Sequence, residues 1–476
     1  MSEIKKAMFF RHCLLKQNSS KSFDKLSINK YKMLQKKYNS YLLILLSVLS
    51  ILCFSCQTGS KKCKTDTNKD DSNSFQKTDV WKPDETNVEG YRIPGIVVTN
   101  EGTVLAFAEE RPIFGDEEPK SIVLKRSIDG AQTWSNNIYI EKCNGEYWLN
   151  HINEIGPRDN KDKKEVWTNT APIVDTTTGR ILFFYSLSEG AVSGQNLQRY
   201  TKVFYKYSDD DGLTWSDRNE VTDVINAKEN GMPNKDENGN WVADVNGFPC
   251  DYLGRAFHMP GPGHGIQLSN GRLLLQVWNR TALESLDNGV IPVSERKYGI
   301  CTIYSDDHGS TWKYGSAFGH NGLAMNESRM AELENGDVYM NARYVIRNSG
   351  EKNNYRIKAI SHDKGITWSD VKIDKNFPLS NPCDAGLVAI RDKKTNKNLL
   401  LYSKNESSEG RENLVVRLSY DEGKTWPIVK VVDKGPAWYS DLAVLPDNSI
   451  LLIYEIGKNS PVYCVKFNLE WITNSN

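Results

Sequence analysis

The 476 residues suffice for two or three average domains, or for one large repeat domain with attachments. Sixty basic and 60 acidic side chains cancel, which argues against a nucleic-acid binder, whose footprint is a basic excess, but not against a locally basic pocket. Twelve Trp, 22 Tyr and 34 Gly in a hydrophilic chain suit an all-β protein with many tight turns.

In chain order, residues 1–56 read as a leader. Lys36 and Lys37 precede an apolar run, Tyr41 to Cys56 (YLLILLSVLSILCFSC), too short for a comfortable membrane span and shaped like a secretory signal. Phe54-Ser55-Cys56 resembles a bacterial lipoprotein signal with Cys56 as the lipidated residue, although Cys53 stands where that motif prefers Leu. Met33 as the true start would give a signal of ordinary length. An uncleaved single-pass anchor is the alternative. In either case the protein is expected outside the cytoplasm, as a periplasmic or outer-membrane lipoprotein or a secreted protein, touching the membrane only through this segment.

Residues 57–84 follow, dominated by Lys, Asp, Ser, Asn and Thr. So little apolar surface cannot offset ordering entropy, and a flexible tether is expected. Of the nine cysteines, Cys63, Cys143, Cys250, Cys301, Cys383 and Cys464 show no C-x-x-C pair or other metal-ligand spacing. They read mainly as small buried apolar residues.

From residue 85 to 472 the chain repeats itself. The pattern Ser-x-Asp-x-Gly-x-Thr-Trp recurs five times, with Gly-Ala standing for x-Gly in the first copy, at Ser127–Trp134, Ser208–Trp215, Ser305–Trp312, Ser361–Trp368 and Ser419–Trp426. Its aspartates are Asp129, Asp210, Asp307, Asp363 and Asp421. An Asp opening a tight turn accepts hydrogen bonds from the amides it wraps, Gly supplies a left-handed conformation, and Trp plugs the core edge. Strands are predicted before each copy at 121–126, 202–207, 299–304, 356–360 and 413–418. Further strands are predicted at 180–185, 272–278, 337–343, 398–402 and 449–454. Successive copies lie 81, 97, 56 and 58 residues apart. The two short spacings match one four-stranded propeller blade, so the region holds six or seven blades, with insertions or a blade lacking the motif in the long gaps. A fivefold repeat serves a scaffold, not a singular active site.

Candidate chemistry lies elsewhere. Tyr91-Arg92-Ile93-Pro94, the repeats (Asp-boxes) and Gly261-Pro262-Gly263-His264-Gly265-Ile266 together resemble the bacterial-type sialidase (neuraminidase) family over residues 85–472. The resemblance implies a six-bladed β-propeller and three arginines holding the sialic-acid carboxylate, which match Arg92, Arg343 and Arg411. Arginine suits that task, being always charged and bidentate. Arg417 competes with Arg411 but sits in a strand running into a turn. The family's tyrosine nucleophile matches Tyr439 in Gly435-Pro-Ala-Trp-Tyr439-Ser-Asp-Leu, and Glu327 matches the base that activates it. A neutral tyrosine avoids the repulsion that a carboxylate nucleophile would meet from an anionic substrate. Asp116 matches the acid/base, with Glu117 and Glu118 as neighbouring rivals. Arg111 matches a sugar-hydroxyl contact, but its usual aspartate partner is replaced by Asn169. Glu455 matches the glutamate that pairs with Arg92.

The implied activity is retaining hydrolysis of terminal α-linked sialic acid from glycoproteins, glycolipids and oligosaccharides, by a monomer without metal or organic cofactor. Transfer of the sialyl group, to another sugar or to an internal hydroxyl, is the near rival. A non-catalytic sialic-acid-binding propeller would lack the Tyr–Glu pair or the arginines, and this chain has both.

Overall fold

A computed structural model describes residues 75–83, 88–151, 164–189, 199–245, 247–283, 296–319, 322–345 and 353–474. The leader, with Met33 and Cys56, lies outside the described residues. Among these, 25 strands form six antiparallel sheets, and every strand predicted from the sequence is present within a few residues of its expected ends. The sheets are the blades of a propeller. Their first strands, Gly90–Val98, Val166–Val174, Phe257–Pro260, Met325–Glu332, Gly386–Arg391 and Ser440–Val444, follow one another in a ring, in which the fourth blade meets the third through Leu273–Arg280.

Each Asp-box joins the third and fourth strands of its blade. In the fourth-blade copy, Gly365 N–H donates to Ser361 Oγ (2.7 Å), Thr367 N–H to Asp363 Oδ1 (2.8 Å) and Thr367 Oγ1 to Asp363 Oδ2 (2.6 Å). Two consecutive residues after the aspartate are left-handed, as in Lys364 (φ 61°) and Gly365 (φ 86°). The first copy is the exception in sequence. Its glycine is Gly130, and Ala131 holds the second left-handed place at φ 71°. An alanine there is strained, but its methyl is buried in the core between the first and sixth blades, which offsets part of that cost.

Five boxes in six blades have a simple cause. Gln76–Trp81, inside the segment expected to be tether, pairs antiparallel with Val462–Phe467 and forms the outer strand of the sixth blade. That blade takes its fourth strand from the N-terminal side, so it has no third-to-fourth turn for a box to make. The described propeller therefore includes Gln76, ahead of the expected boundary at 85. Helices are short, as in Glu146–Asn150, Thr222–Ile225 and Leu469–Thr473. No helix among the described residues is long and apolar enough to cross a membrane.

A buried ionic network ties the blades across the axis. Arg329 Nη2 donates to Asp384 Oδ2 (2.6 Å) and Arg329 Nε to Asp441 Oδ1 (3.3 Å). Asp441 also faces His264 Nδ1 (2.9 Å) and accepts from Ile96 N–H (3.2 Å). Blades one, three, four, five and six thus meet through two carboxylates and one guanidinium. Arg329 also donates to the Pro262 carbonyl, and a β-carbon on Gly263 would collide with its guanidinium. The Gly-Pro-Gly segment therefore serves axial packing.

Candidate active site

Three of the ring-forming strands are bulged where the predicted site residues stand. Register shifts fall between Arg92 and Gly95, between Thr168 and Ala171, and between Met325 and Ser328. A bulge puts two residues opposite one and re-aims a side chain, which is how a strand can present Arg92 or Glu327 at its end instead of into a blade interface. Ile93 sits in the first bulge at φ 55°, a costly place for a β-branched residue. It is held by packing against Cys383 and Tyr439, and its carbonyl accepts from Thr170 Oγ1 (2.6 Å).

Tyr439 is buried at the start of the sixth blade's first strand. Its hydroxyl donates to Glu327 Oε1 and accepts from Arg343 Nη1 at 3.1 Å. Arg343 Nη1 in turn reaches Glu327 Oε2 at 2.6 Å. Residues 327, 343 and 439, from blades four and six, thus form one triangle. Burial pushes the Tyr439 phenol well above its ordinary value, the Glu327 charge adds to this, and Arg343 and Arg411 act against it. Burial would raise Glu327 as well, but Arg343 and the tyrosine hydroxyl outweigh it and hold the carboxyl below its usual range. The pair therefore rests as a protonated phenol bonded to a carboxylate, the state a nucleophile and its base need before reaction.

Arg92 is gripped by Glu455, which accepts from Nε at 3.2 Å and from Nη2 at 3.1 Å. Its Nη1 donates to Asp116 Oδ1 at 3.0 Å. Arg111 Nη1 donates to the same oxygen at 2.7 Å. Asp116 lies on the loop after the strand Val104–Arg111 with 63 % of its side chain exposed. What burial it has would raise its carboxyl, but Arg111, Arg92 and Lys120 hold it well below the usual carboxylate range. Of the three acids on the loop, Asp116 is the one that reaches both arginines.

Arg411 Nη2 donates to the Pro382 carbonyl at 3.4 Å, and its guanidinium lies 5.5 Å from the Tyr439 ring centre. Arg417 is elsewhere, in the third strand of the fifth blade, paired with Glu406 (2.6 Å). Arg92, Arg343 and Arg411 therefore converge on Tyr439, with Arg92 5.4 Å from its ring.

Arg111 departs from the expected pattern. Its carboxylate partner is Glu109, two residues before it on the same strand, which accepts from Arg111 Nε at 2.8 Å. Glu109 also receives Thr168 Oγ1 and Asn169 N–H, each at 2.7 Å. Asn169, left-handed at φ 65°, turns its amide to the Pro260 carbonyl (2.9 Å). The missing aspartate is thus answered from a neighbouring position. Glu109 carried a sequence signal, since it alternates with Arg111 within one strand.

Two further residues escaped the sequence reading. Lys120 is fully buried, its Nζ donating to the Asp116 carbonyl and lying 3.9 Å from Glu109 Oε2, so it fastens the acid-bearing loop. Trp438, next to Tyr439, has Arg92 and Arg411 within 5.0 and 5.2 Å of its ring and meets Phe114 of that loop edge to face. Cys383 is buried beneath Tyr439, and among the described residues the five cysteines are all free.

Residues 102–452 match the BNR repeat-like domain, nearly three-quarters of the chain. The chain belongs to the BNR repeat-like family. Among curated members with similar sequences, a sialidase of Micromonospora viridifaciens is 29 % identical over 393 residues, covering 80 % of this chain and 52 % of its own. A sialidase of Bacteroides fragilis is 26 % identical, covering 78 % of this chain and 61 % of its own. The chain thus spans little more than half the length of these two. Rat sialidase-2 is 28 % identical over 81 % of this chain and 94 % of its own. Among solved structures, the Hadza microbial sialidase Hz136 superposes with a TM-score of 0.63 at 24 % identity, covering 82 % of this chain and 68 % of that one. The intramolecular trans-sialidase of Ruminococcus gnavus superposes at 0.61 with 17 % identity, covering 84 % and 99 %. Both share the fold.

Proposed function

We propose that the chain is a retaining exo-α-sialidase, releasing terminal α-linked sialic acid from glycoproteins, glycolipids and oligosaccharides. The observation that carries this is the Tyr439 hydroxyl bonded to the Glu327 carboxylate, with Arg92, Arg343 and Arg411 gathered around it. Three positive groups around one phenol suit a substrate that carries a permanent carboxylate on its reacting carbon.

In this reading the arginines hold the substrate carboxylate. Tyr439 Oη attacks the anomeric carbon as its proton passes to Glu327, and Asp116 protonates the departing oxygen. Water, deprotonated by Asp116, then breaks the tyrosyl–sugar bond, and the phenolate recovers its proton from Glu327. Two displacements at one carbon retain configuration. Arg111, oriented by Glu109, contacts a sugar hydroxyl, and Glu455 keeps Arg92 in place. No metal or organic cofactor enters. We further propose that the leader exports the protein, with Cys56 as the lipidated residue.

Release of 4-methylumbelliferone from its α-sialoside tests the reading. The wild type is expected to release it, Tyr439→Phe to lose at least about 10³-fold in kcat, and the first-formed sugar product to be the α-anomer. Absence of wild-type release between about pH 4 and 8 would overturn the activity. Wild-type-like rates in Tyr439→Phe would overturn the nucleophile.

A further inference from the structure

The three arginines around Tyr439 are not held alike. Arg92 is clamped by Glu455 and Arg343 is bonded to Glu327. Arg411 has no carboxylate partner among the described residues; its bond to the Pro382 carbonyl is long at 3.4 Å. The charges of Arg343 and Arg92 also repel it. A half-buried guanidinium so placed needs another source of stabilisation.

The aromatic ring beside it supplies one. The Arg411 guanidinium carbon is 5.2 Å from the centre of Trp438, within the range at which a cation is attracted by the electrons of an indole face. The Arg92 guanidinium is 5.0 Å from the same ring. One indole thus lies close to two cations that repel each other. Trp438 is itself held: its main-chain N–H donates to the Glu455 carbonyl (2.7 Å), and Phe114 meets its ring at 6.0 Å.

We propose that Trp438 is a positioning residue that holds Arg411 where the substrate carboxylate is received, in place of a paired carboxylate, of which Arg411 has none among the described residues. This rests on the sialidase reading of the site. It makes Trp438 a determinant of affinity for the carboxylate, separate from Tyr439, which performs the chemistry.

The test is a double-mutant cycle on binding of 2,3-dehydro-2-deoxy-N-acetylneuraminic acid, a carboxylate-bearing unsaturated sialic acid, followed to millimolar concentration. Trp438→Leu should weaken binding by about 5- to 30-fold when Arg411 is present, and by less than about two-fold in the Arg411→Ala background. Trp438→Phe, which keeps an aromatic face, should lose no more than about three-fold, and both substitutions should raise KM by a larger factor than they lower kcat. Equal losses with and without Arg411 would overturn the proposal, as would unchanged affinity in Trp438→Leu. Should Trp438→Leu fail to fold, the same cycle run with Trp438→Phe decides: additivity there overturns the proposal and coupling to Arg411 upholds it. A wild type that neither binds this ligand nor releases 4-methylumbelliferone would defeat the sialidase reading, whereas binding with additive losses would defeat the Trp438 assignment alone.

Discussion

Asp116 Oδ1 sits 3.0 Å from Arg92 Nη1, on the side of the guanidinium that Glu455 leaves open. The acid/base candidate therefore occupies the end of Arg92 that a substrate carboxylate would need. Its groups of influence are Arg92 and Glu455 on one side, Arg111, Glu109 and Lys120 on the other, and Glu117 on its own loop. A ligand carboxylate arriving on Arg92 takes away one stabilising cation and brings a new negative charge. Both changes raise the proton affinity of Asp116. Binding of an unsaturated sialic acid near pH 5 should thus draw in protons, a substantial fraction of one per site, measured by calorimetry in buffers of different ionisation enthalpy. In Asp116→Asn the uptake should vanish while binding persists. Equal uptake in both proteins would show that another group takes the proton.

The same relationship separates two pH profiles. In the free protein Asp116 is held ionised well below the usual carboxylate range, and kcat/KM reports free-protein groups. In the complex, where kcat is read, Asp116 titrates higher. An acid must be protonated to act, so the alkaline fall of kcat should lie at higher pH than that of kcat/KM. Coincident limbs for the two parameters would count against substrate release of the Asp116–Arg92 contact.

Glu327 should show the opposite character. Arg343 and the Tyr439 hydroxyl keep it ionised against its burial, so it is ready as a base across the acidic range. Glu327→Gln keeps the shape of the side chain and its bond to Tyr439 but cannot take the proton. A kcat loss of about 10²- to 10⁴-fold is expected, with ligand affinity within a few-fold of wild type. Stopped-flow fluorescence should place the loss in the first, sugar-transferring step.

How much of this could be read beforehand depended on whether the signal was local. Turn chemistry is local: Gly365 bonds to Ser361 and Thr367 to Asp363, each pair four residues apart, so the hairpins and their strands were legible from spacing alone. The triangle of Glu327, Arg343 and Tyr439 spans two blades, and only resemblance to a family linked its members in advance. Glu109 was missed because an ion pair between residues two apart looks like ordinary strand alternation. The strand at 76–81 was missed because four of its six residues, Gln76-Lys-Thr-Asp, are polar on an outer edge and read as tether. Nothing in one blade's sequence announces that its fourth strand comes from the other end of the chain. The Arg329 network is invisible for the same reason, since its carboxylates lie 55 and 112 residues away.

The boxes carry a stability signature of their own. Asp307 is pulled down to about 2: slight burial opposes this, and bonds from the Thr311 side chain and main chain overcome it. A carboxyl depressed in the folded state contributes stability above its unfolded value, about 3.9, and loses that contribution as pH falls toward 2. Exposure of the turn screens the effect, so Asp307→Asn should cost only about 1 kcal/mol near pH 6, a fall of about 1–2 °C in Tm. The two proteins should converge as pH falls to about 2, and activity should be unchanged. A difference that persists at low pH would place the cost in the turn's shape instead of its charge.

The closing strand makes the strongest prediction about the fold. Trp81 ends it with 1 % of its surface exposed, stacked on Tyr91 at 5.5 Å and donating from Nε1 to Asn137 Oδ1 at 2.8 Å. Tyr91 adjoins Arg92, so the strand that joins the sixth blade to the first also braces the strand that carries the first arginine. Trp81→Ala should destabilise the propeller by about 3–5 kcal/mol, the range for emptying a buried indole site. A protein shortened to begin at residue 75 should melt with the full chain, whereas one beginning at residue 85 should lose the outer strand of the sixth blade and melt many degrees lower. Calorimetry of the three proteins decides. If the version starting at residue 85 melts with the full chain, Gln76–Trp81 is an appendage and the blade is closed without it.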